Sequence, residues 1–332
     1  MNDWQVVLLR IGAMFLVICL GWEARRRNYL AAETTGLLSR LVVDVAFPAL
    51  VLTQMLRTVD AAALLENWLS PVFGGILIVV AYLVAIPLAP LFCCRDQRPT
   101  FLFLAAIANW IFLPLPIAEG LYGAAGVRTT LFYNVGAQLV LWSLGVWVLS
   151  GGKALGPALR QLASNSGLWA TAVGIALALG FPGLRGLETL NPRQASGLEL
   201  AGGMLVQALS MIGSLTIPMS LLAIGAQLGG LAGPVHRLSR PVWGVILVRL
   251  VIGPLAILAL VWVLTFIGIH IPILPRMVGI LIATMPVAIS CSVMAERFGG
   301  DVGLSAQGIF YSTFFSLLSV PLWFYVLQHV PL

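Results

Sequence analysis

Charged side chains are scarce in this chain. Asp, Glu, Lys and Arg together make up 9% of 332 residues, against roughly 25% in a soluble domain. A surface so short of charge cannot face water on all sides, which excludes an ordinary soluble fold. Histidine is nearly absent: His236, His270 and His329 fall in separate loops or near an end. The four cysteines, Cys19, Cys93, Cys94 and Cys291, form no CxxC and show no metal-ligand spacing with histidine, so no metal site is expected. The chain has no GxxxxGK[ST] phosphate loop, which argues against ATP drive within it. It also lacks a convergent nucleophile and base, so it is not expected to be an enzyme. The net charge of +6 is spread among apolar runs without forming a stripe, which excludes nucleic acid as a partner. The N-terminus, Met1-Asn2-Asp3-Trp4, has no basic n-region and its first apolar run is followed by Arg25-Arg26-Arg27, so the first helix is expected to be retained.

What is present is apolar: 60% of residues, with a mean hydropathy of +1.01. Those values define an integral membrane protein. A helix crossing the hydrocarbon core needs about 20 mainly apolar residues, and by that measure ten spans are expected. They run over about 4–22, 37–56, 70–92, 99–121, 127–149, 166–181, 198–228, 241–267, 274–295 and 303–328. Odd-numbered loops carry Arg25, Arg26, Arg27, Arg40, Arg95, Arg98, Lys153, Arg160, Arg237, Arg240 and Arg297. Even-numbered loops carry only Arg57, Arg128, Arg185, Arg193 and Arg276. The positive-inside rule then makes the odd loops cytoplasmic and puts both termini on the outer side, in what is expected to be a bacterial inner membrane.

Two stretches of the chain read as one another. Ala118-Glu119-x-x-x-Gly123-x-x-Gly126 is followed by Phe132-Tyr133, and Ala295-Glu296-x-x-x-Gly300-x-x-Gly303 by Phe310-Tyr311. Each follows an apolar segment interrupted by proline: Pro114 and Pro116 in the first, Pro286 in the second. Five spans per half is an odd number, so the halves must be inverted. The expected organisation is a first five-helix repeat over 1–150, a cytoplasmic linker over 151–165 and a second repeat over 166–332. Paired, Pro-broken segments in corresponding halves point to a transporter binding site.

Prolines 114 and 116 remove two backbone donors from the fourth span. Lipid cannot satisfy the freed groups, so the break must be buried in protein or line a wet cavity. It exposes the positive end of one half-helix and the carbonyl end of another, enough to hold an anion without a basic side chain. Asn109 adds an amide that donates and accepts. In the ninth span, Thr284 and Ser290 provide hydroxyls around Pro286; each alone reads as a local cap, the cluster as a substrate contact. Asn134, after the repeated Phe-Tyr pair, is a further candidate, and Gln138, Gln207, Ser210 and Gln227 are other polar residues in spans.

Charge inside a span is costly and marks function or pairing. Asp44, four residues before Pro48, is the clearest intramembrane acid, open to a proton or sodium role or to a structural ion pair. Arg249, five residues before Pro254, reads as snorkelling or paired ahead of touching substrate. Arg10 is expected to snorkel or pair, and Glu119 and Glu296 to cap or gate.

At these residues the chain resembles the auxin efflux carrier family. The family's fourth span reads roughly Asn-Thr-Gly-Phe-Leu-Gly-Leu-Pro, and Asn109 and Pro116 stand in its first and last places. Its ninth span is similar to Met285-Pro286 through Ala295 followed by the Gly299-Gly300-Asp301 turn. Its second is similar to Leu41 to Leu52 around Pro48, and the end of its seventh to Ile224-Gly225-Ala226-Gln227-Leu228. Trp110, Pro114 and Ser290 depart from the usual residues, which bears on the size and polarity of the substrate.

The resemblance implies an all-α membrane carrier of ten transmembrane helices, two inverted five-helix repeats in which broken helices four and nine cross at mid-bilayer. Spans 1, 2, 6 and 7 would form a scaffold, a homodimer would assemble through it, and spans 3–5 and 8–10 would form the moving bundle. The expected activity is secondary transport of a small organic anion, such as a carboxylate, by alternating access, with no cofactor beyond a coupling proton or sodium ion. Sodium-coupled uptake is the alternative within that class, and a sensor or scaffold without transport the alternative outside it.

Overall fold

The computed structural model describes residues 3–189, 196–231 and 238–327. His236, His329, Arg193 and Arg237 lie outside the described residues. Within them the chain is all-helical, without a strand.

Helix α1 is Asp3–Arg26. Helix α2 runs over Ala32–Thr58, with one π-helical turn at Val42–Ala46, and α3 over Ala61–Phe92. Short α4, Arg98–Ala106, stops at an irregular segment. The run Pro114–Leu149 is interrupted at Gly123, whose φ of 60° and ψ of −150° are non-helical, giving α5 (114–122) and α6 (124–149). Next come α7, Leu155–Ala163, and α8, Ser166–Gly180. A 3-10 segment, Pro182–Thr189, leads toward α9, Gly197–Gly230. Helix α10 is Arg240–Phe266, with a π-helical turn at Val248–Ile252. Short α11, Ile273–Ala283, and α12, Ser290–Phe298, flank a second irregular segment, and α13 is Val302–Leu327.

Among the described residues, seven runs are long and apolar enough to cross a membrane: Ala32–Thr58, Ala61–Phe92, Pro114–Leu149, Leu155–Gly180, Gly197–Gly230, Arg240–Phe266 and Val302–Leu327. Among the described residues, the fourth and ninth of the ten spans read from the sequence have no such run of their own. The fourth and ninth are each split, into α4 with α5 and α11 with α12, because proline and the residues around it stop the helical ladder midway.

The repeated Ala-Glu-x-x-x-Gly-x-x-Gly motif is a turn. In a straight helix, residues 118 and 126 would be about 12 Å apart. Here a Cβ on Gly126 would sit 2.5 Å from the Ala118 carbonyl oxygen, so the chain doubles back at Gly123. In the second copy Gly299, at φ 79°, ends α12 in the left-handed conformation, and Gly300 N–H donates to Ala295 O at 2.8 Å.

The chain divides into two compact units. One comprises Met1–Leu16, Leu69–Ser164 and Leu228–Leu332; the other comprises Val17–Trp68 and Asn165–Gln227. In the first unit α3 and α6 touch backbone to backbone. A Cβ on Gly74 would be 2.1 Å from Tyr133 O, and one on Gly136 would be 1.6 Å from Pro71 O. In the second unit α1 and α9 do the same: a Cβ on Gly21 would meet Leu222 O at 2.2 Å, and one on Gly225 would meet Ile18 O at 1.9 Å. Small residues permit such approaches, and dispersion over the tight seam holds membrane helices together where no hydrophobic drive exists. Also in the second unit, Gln227 Nε2 donates to Ser39 Oγ (2.8 Å) and Arg57 Nη2 to Ser210 Oγ (2.9 Å).

Candidate functional site

Both irregular segments belong to the first unit, and they pair with each other. Ala108 and Val287 form an isolated antiparallel bridge. Asn109 N–H donates to Pro286 O at 2.8 Å, and Ala288 N–H donates to Ile107 O at 3.1 Å. Two interrupted helices thus satisfy part of each other's freed backbone. Val287 N–H turns the other way, to Ser312 Oγ of α13 at 3.2 Å. Everything around this pairing is buried: Ile107, Ala108, Asn109, Met285, Val287 and Thr284 are each at most 4% exposed.

Local chemistry explains where the helices stop. The Asn109 Oδ1 accepts from Phe112 N–H at 3.0 Å, which shapes the turn leading into α5. Pro114 and Pro116 fall in the first turn of α5, where a missing N–H leaves no gap. Thr284 Oγ1 donates back to Leu281 O at 2.8 Å and caps α11. Ser290 opens α12 and is exposed. The two carbonyl ends, of α4 and α11, and the two N–H ends, of α5 and α12, therefore flank one antiparallel crossing of the chain.

Arg249 occupies the carbonyl side. Only 4% exposed, its guanidinium donates to Ala105 O (3.3 Å) and Ala106 O (3.2 Å) at the end of α4, and to Ala283 O and Met285 O (3.1 Å) at the end of α11. These are carbonyls that the interrupted ladders leave without helical partners. Each helix end carries roughly half a negative charge, so two ends approximately balance one guanidinium. The snorkelling or ion-pairing expected of Arg249 is therefore corrected. The side chain points inward, onto main-chain carbonyls, and makes no ion pair among the described residues. The π-helical turn Val248–Ile252 presents Arg249. Pro254, which has no N–H, follows it, and Trp323 Nε1 donates to Leu250 O at 2.7 Å.

Beside the crossing lies an apolar hollow. Ile11, Met14 and Phe15 of α1, Leu113 and Ile117 at the start of α5, Met285 and Pro286, and Ser316 and Val320 of α13 line it.

The other expected residues sit elsewhere. Asn134 is buried in α6, its Oδ1 taking a long bond of 3.4 Å from Gln138 Nε2, whose Oε1 accepts from Trp142 Nε1. Asp44 belongs to the second unit, exposed on the π-helical turn of α2, and makes no ion pair among the described residues. Arg10 is exposed, its side chain lying over Gly120, and is likewise without an ion pair among the described residues. Glu119 and Glu296 are exposed and form none either. Sequence reasoning missed Ser312 and Trp323, although the polar series Ser312-Thr313-Ser316 in an apolar span was the available signal.

An all-helical, apolar chain with two interrupted helices joined at their breaks defines a polytopic membrane protein of the transporter class. A model of the family described as membrane transport protein matches residues 6–158 and 187–324, and the chain belongs to this family, that of the auxin efflux carriers. It is similar to an uncharacterised transporter of Methanothermobacter thermautotrophicus, 28% identical over 326 residues that cover 95% of this chain and 96% of the relative. It is similar also to one of Methanocaldococcus jannaschii, 24% identical over 338 residues, 98% and 99% of the two chains.

Proposed function

We propose that this transporter is a secondary carrier of small organic anions, carboxylates foremost, working by alternating access. The antiparallel pairing of Ala108 with Val287 carries the reading. It brings the N-terminal ends of α5 and α12 to one region of a buried crossing, and the positive end of each helix macrodipole attracts anions. Arg249 neutralises the opposite, carbonyl ends, which leaves the positive ends as the uncompensated poles. The hollow beside Pro286 offers apolar walls to the carbon skeleton of such an anion. Asn109, Pro114, Pro116, Thr284, Pro286 and Ser290 are the proposed surroundings of the substrate, with Asn134 further along α6.

In this reading the chain crosses a bacterial inner membrane ten times as two inverted five-helix repeats, with both termini outside. The unit holding both breaks carries the substrate across, and the unit that takes in the C-terminal part of α1 with α2, α8 and α9, that is spans 1, 2, 6 and 7, serves as the scaffold through which two copies associate. Coupling, where it occurs, is to a proton or a cation and needs no cofactor.

Purified protein reconstituted in proteoliposomes, loaded with a panel of radiolabelled mono- and dicarboxylates, tests the proposal. Counterflow of at least one carboxylate that disappears with Asn109→Leu is the expected result. Absence of flux for every organic anion, with the protein folded, would favour a sensor or scaffold instead.

A further inference from the structure

The four carbonyl oxygens that end α4 and α11 form the kind of group that binds a cation in transporters with interrupted helices, where unwound backbone and half-helix C-termini coordinate sodium. Here they already hold one. The guanidinium of Arg249 takes Ala105 O, Ala106 O, Ala283 O and Met285 O together, from two helices that the sequence separates widely. Burial of an unpaired charge costs several kcal/mol, and no carboxylate offsets it among the described residues. The carbonyls are therefore its counter-charge. No group of three His, Cys, Asp or Glu side chains capable of holding an ion exists among the described residues. Arginine keeps its proton at any physiological pH, so the charge is permanent.

We propose that Arg249 is a tethered substitute for a coupling cation, and that this protein works without sodium at the crossing. The guanidinium ties the ends of α4 and α11 into one rigid element and supplies the positive charge that a sodium-coupled carrier collects from solution at every cycle. The word coupling rests on the carrier function proposed above; the occupancy of the carbonyls by a built-in cation does not.

Thermal unfolding of the purified full chain, in sodium chloride and in choline chloride of equal ionic strength, is the test. The wild type should unfold at the same temperature in both salts. Arg249→Ala should unfold at a lower temperature, and sodium or millimolar ethylguanidinium, refilling the vacated carbonyls, should raise its Tm by about 3 °C or more. Arg249→Lys, which retains a cation, should remain indifferent to sodium. Stabilisation of the wild type by sodium over choline would overturn the proposal, as would an Arg249→Ala protein that is folded and ignores both cations. If Arg249→Ala does not fold, Arg249→Gln replaces it, and the wild-type comparison decides in either case. Failure of every carboxylate to stabilise the wild type would count against the carrier function alone and leave these cation readouts intact.

Discussion

Asn109 gives its backbone N–H to the carbonyl of Pro286 at 2.8 Å, while its side-chain oxygen holds Phe112 N–H at 3.0 Å. One residue thus fastens the two breaks together and starts the helix that follows the first. Its carboxamide Nδ2 has no hydrogen-bond partner among the described residues, and so is available to an acceptor such as a carboxylate oxygen. Asn109→Leu should retain the backbone pairing, lose the side-chain bond at a cost of about 1 kcal/mol, and no longer be stabilised by any carboxylate that stabilises the wild type. A thermal-shift series with the substrate found in counterflow checks this; an unchanged substrate-induced shift would remove Asn109 from the site.

The α3–α6 seam admits nothing larger than hydrogen at residue 136, since a Cβ there would overlap Pro71 O at 1.6 Å. Gly136→Val should push the helices apart and abolish a monodisperse, folded protein in size-exclusion chromatography. Gly156→Ala, in α7 with nothing within 4 Å of the new methyl, should be neutral or stabilising by about 0.5–1 kcal/mol.

Trp323 Nε1 is the donor for Leu250 O, next to the π-helical turn that presents Arg249. Trp323→Phe keeps most of the packing and drops that bond. Loss of about 1 kcal/mol is expected, read as a lower Tm. If Arg249 depends on this support, the variant should also acquire part of the sodium sensitivity predicted for Arg249→Ala.

Asp44, exposed and without an ion pair among the described residues, supports nothing by pairing. Asp44→Asn should therefore leave the Tm unchanged. Should protons couple to transport through this carboxyl, the same variant will show flux independent of pH, and a retained pH dependence would exclude it.

Membrane class, the two breaks and the doubled motif were legible because each depends on local chemistry. Apolar runs announce helices, Pro114, Pro116 and Pro286 stop them, and Gly123 and Gly299 mark turns that only glycine takes easily. Arg249 shows the limit. Its depth within a span argued for snorkelling or a carboxylate partner, because an arginine's partner is ordinarily sought among acids. Its actual partners are main-chain carbonyls, which every residue carries and which no sequence pattern marks. For Asp44 the sequence left a structural ion pair open as one role, and its exposed position on the π-helical turn brings no ion-pair partner among the described residues.

From its sequence alone, then, this chain was committed to the bilayer and to interrupted helices, since hydropathy and missing N–H donors act within a few residues of where they are written. Which break meets which, and what neutralises the carbonyl ends they expose, was decided by tertiary structure. Ala108 and Val287, or Arg249 and Ala105, lie far apart along the chain, and only packing of the helices brings an orphaned carbonyl and a buried cation within hydrogen-bonding distance.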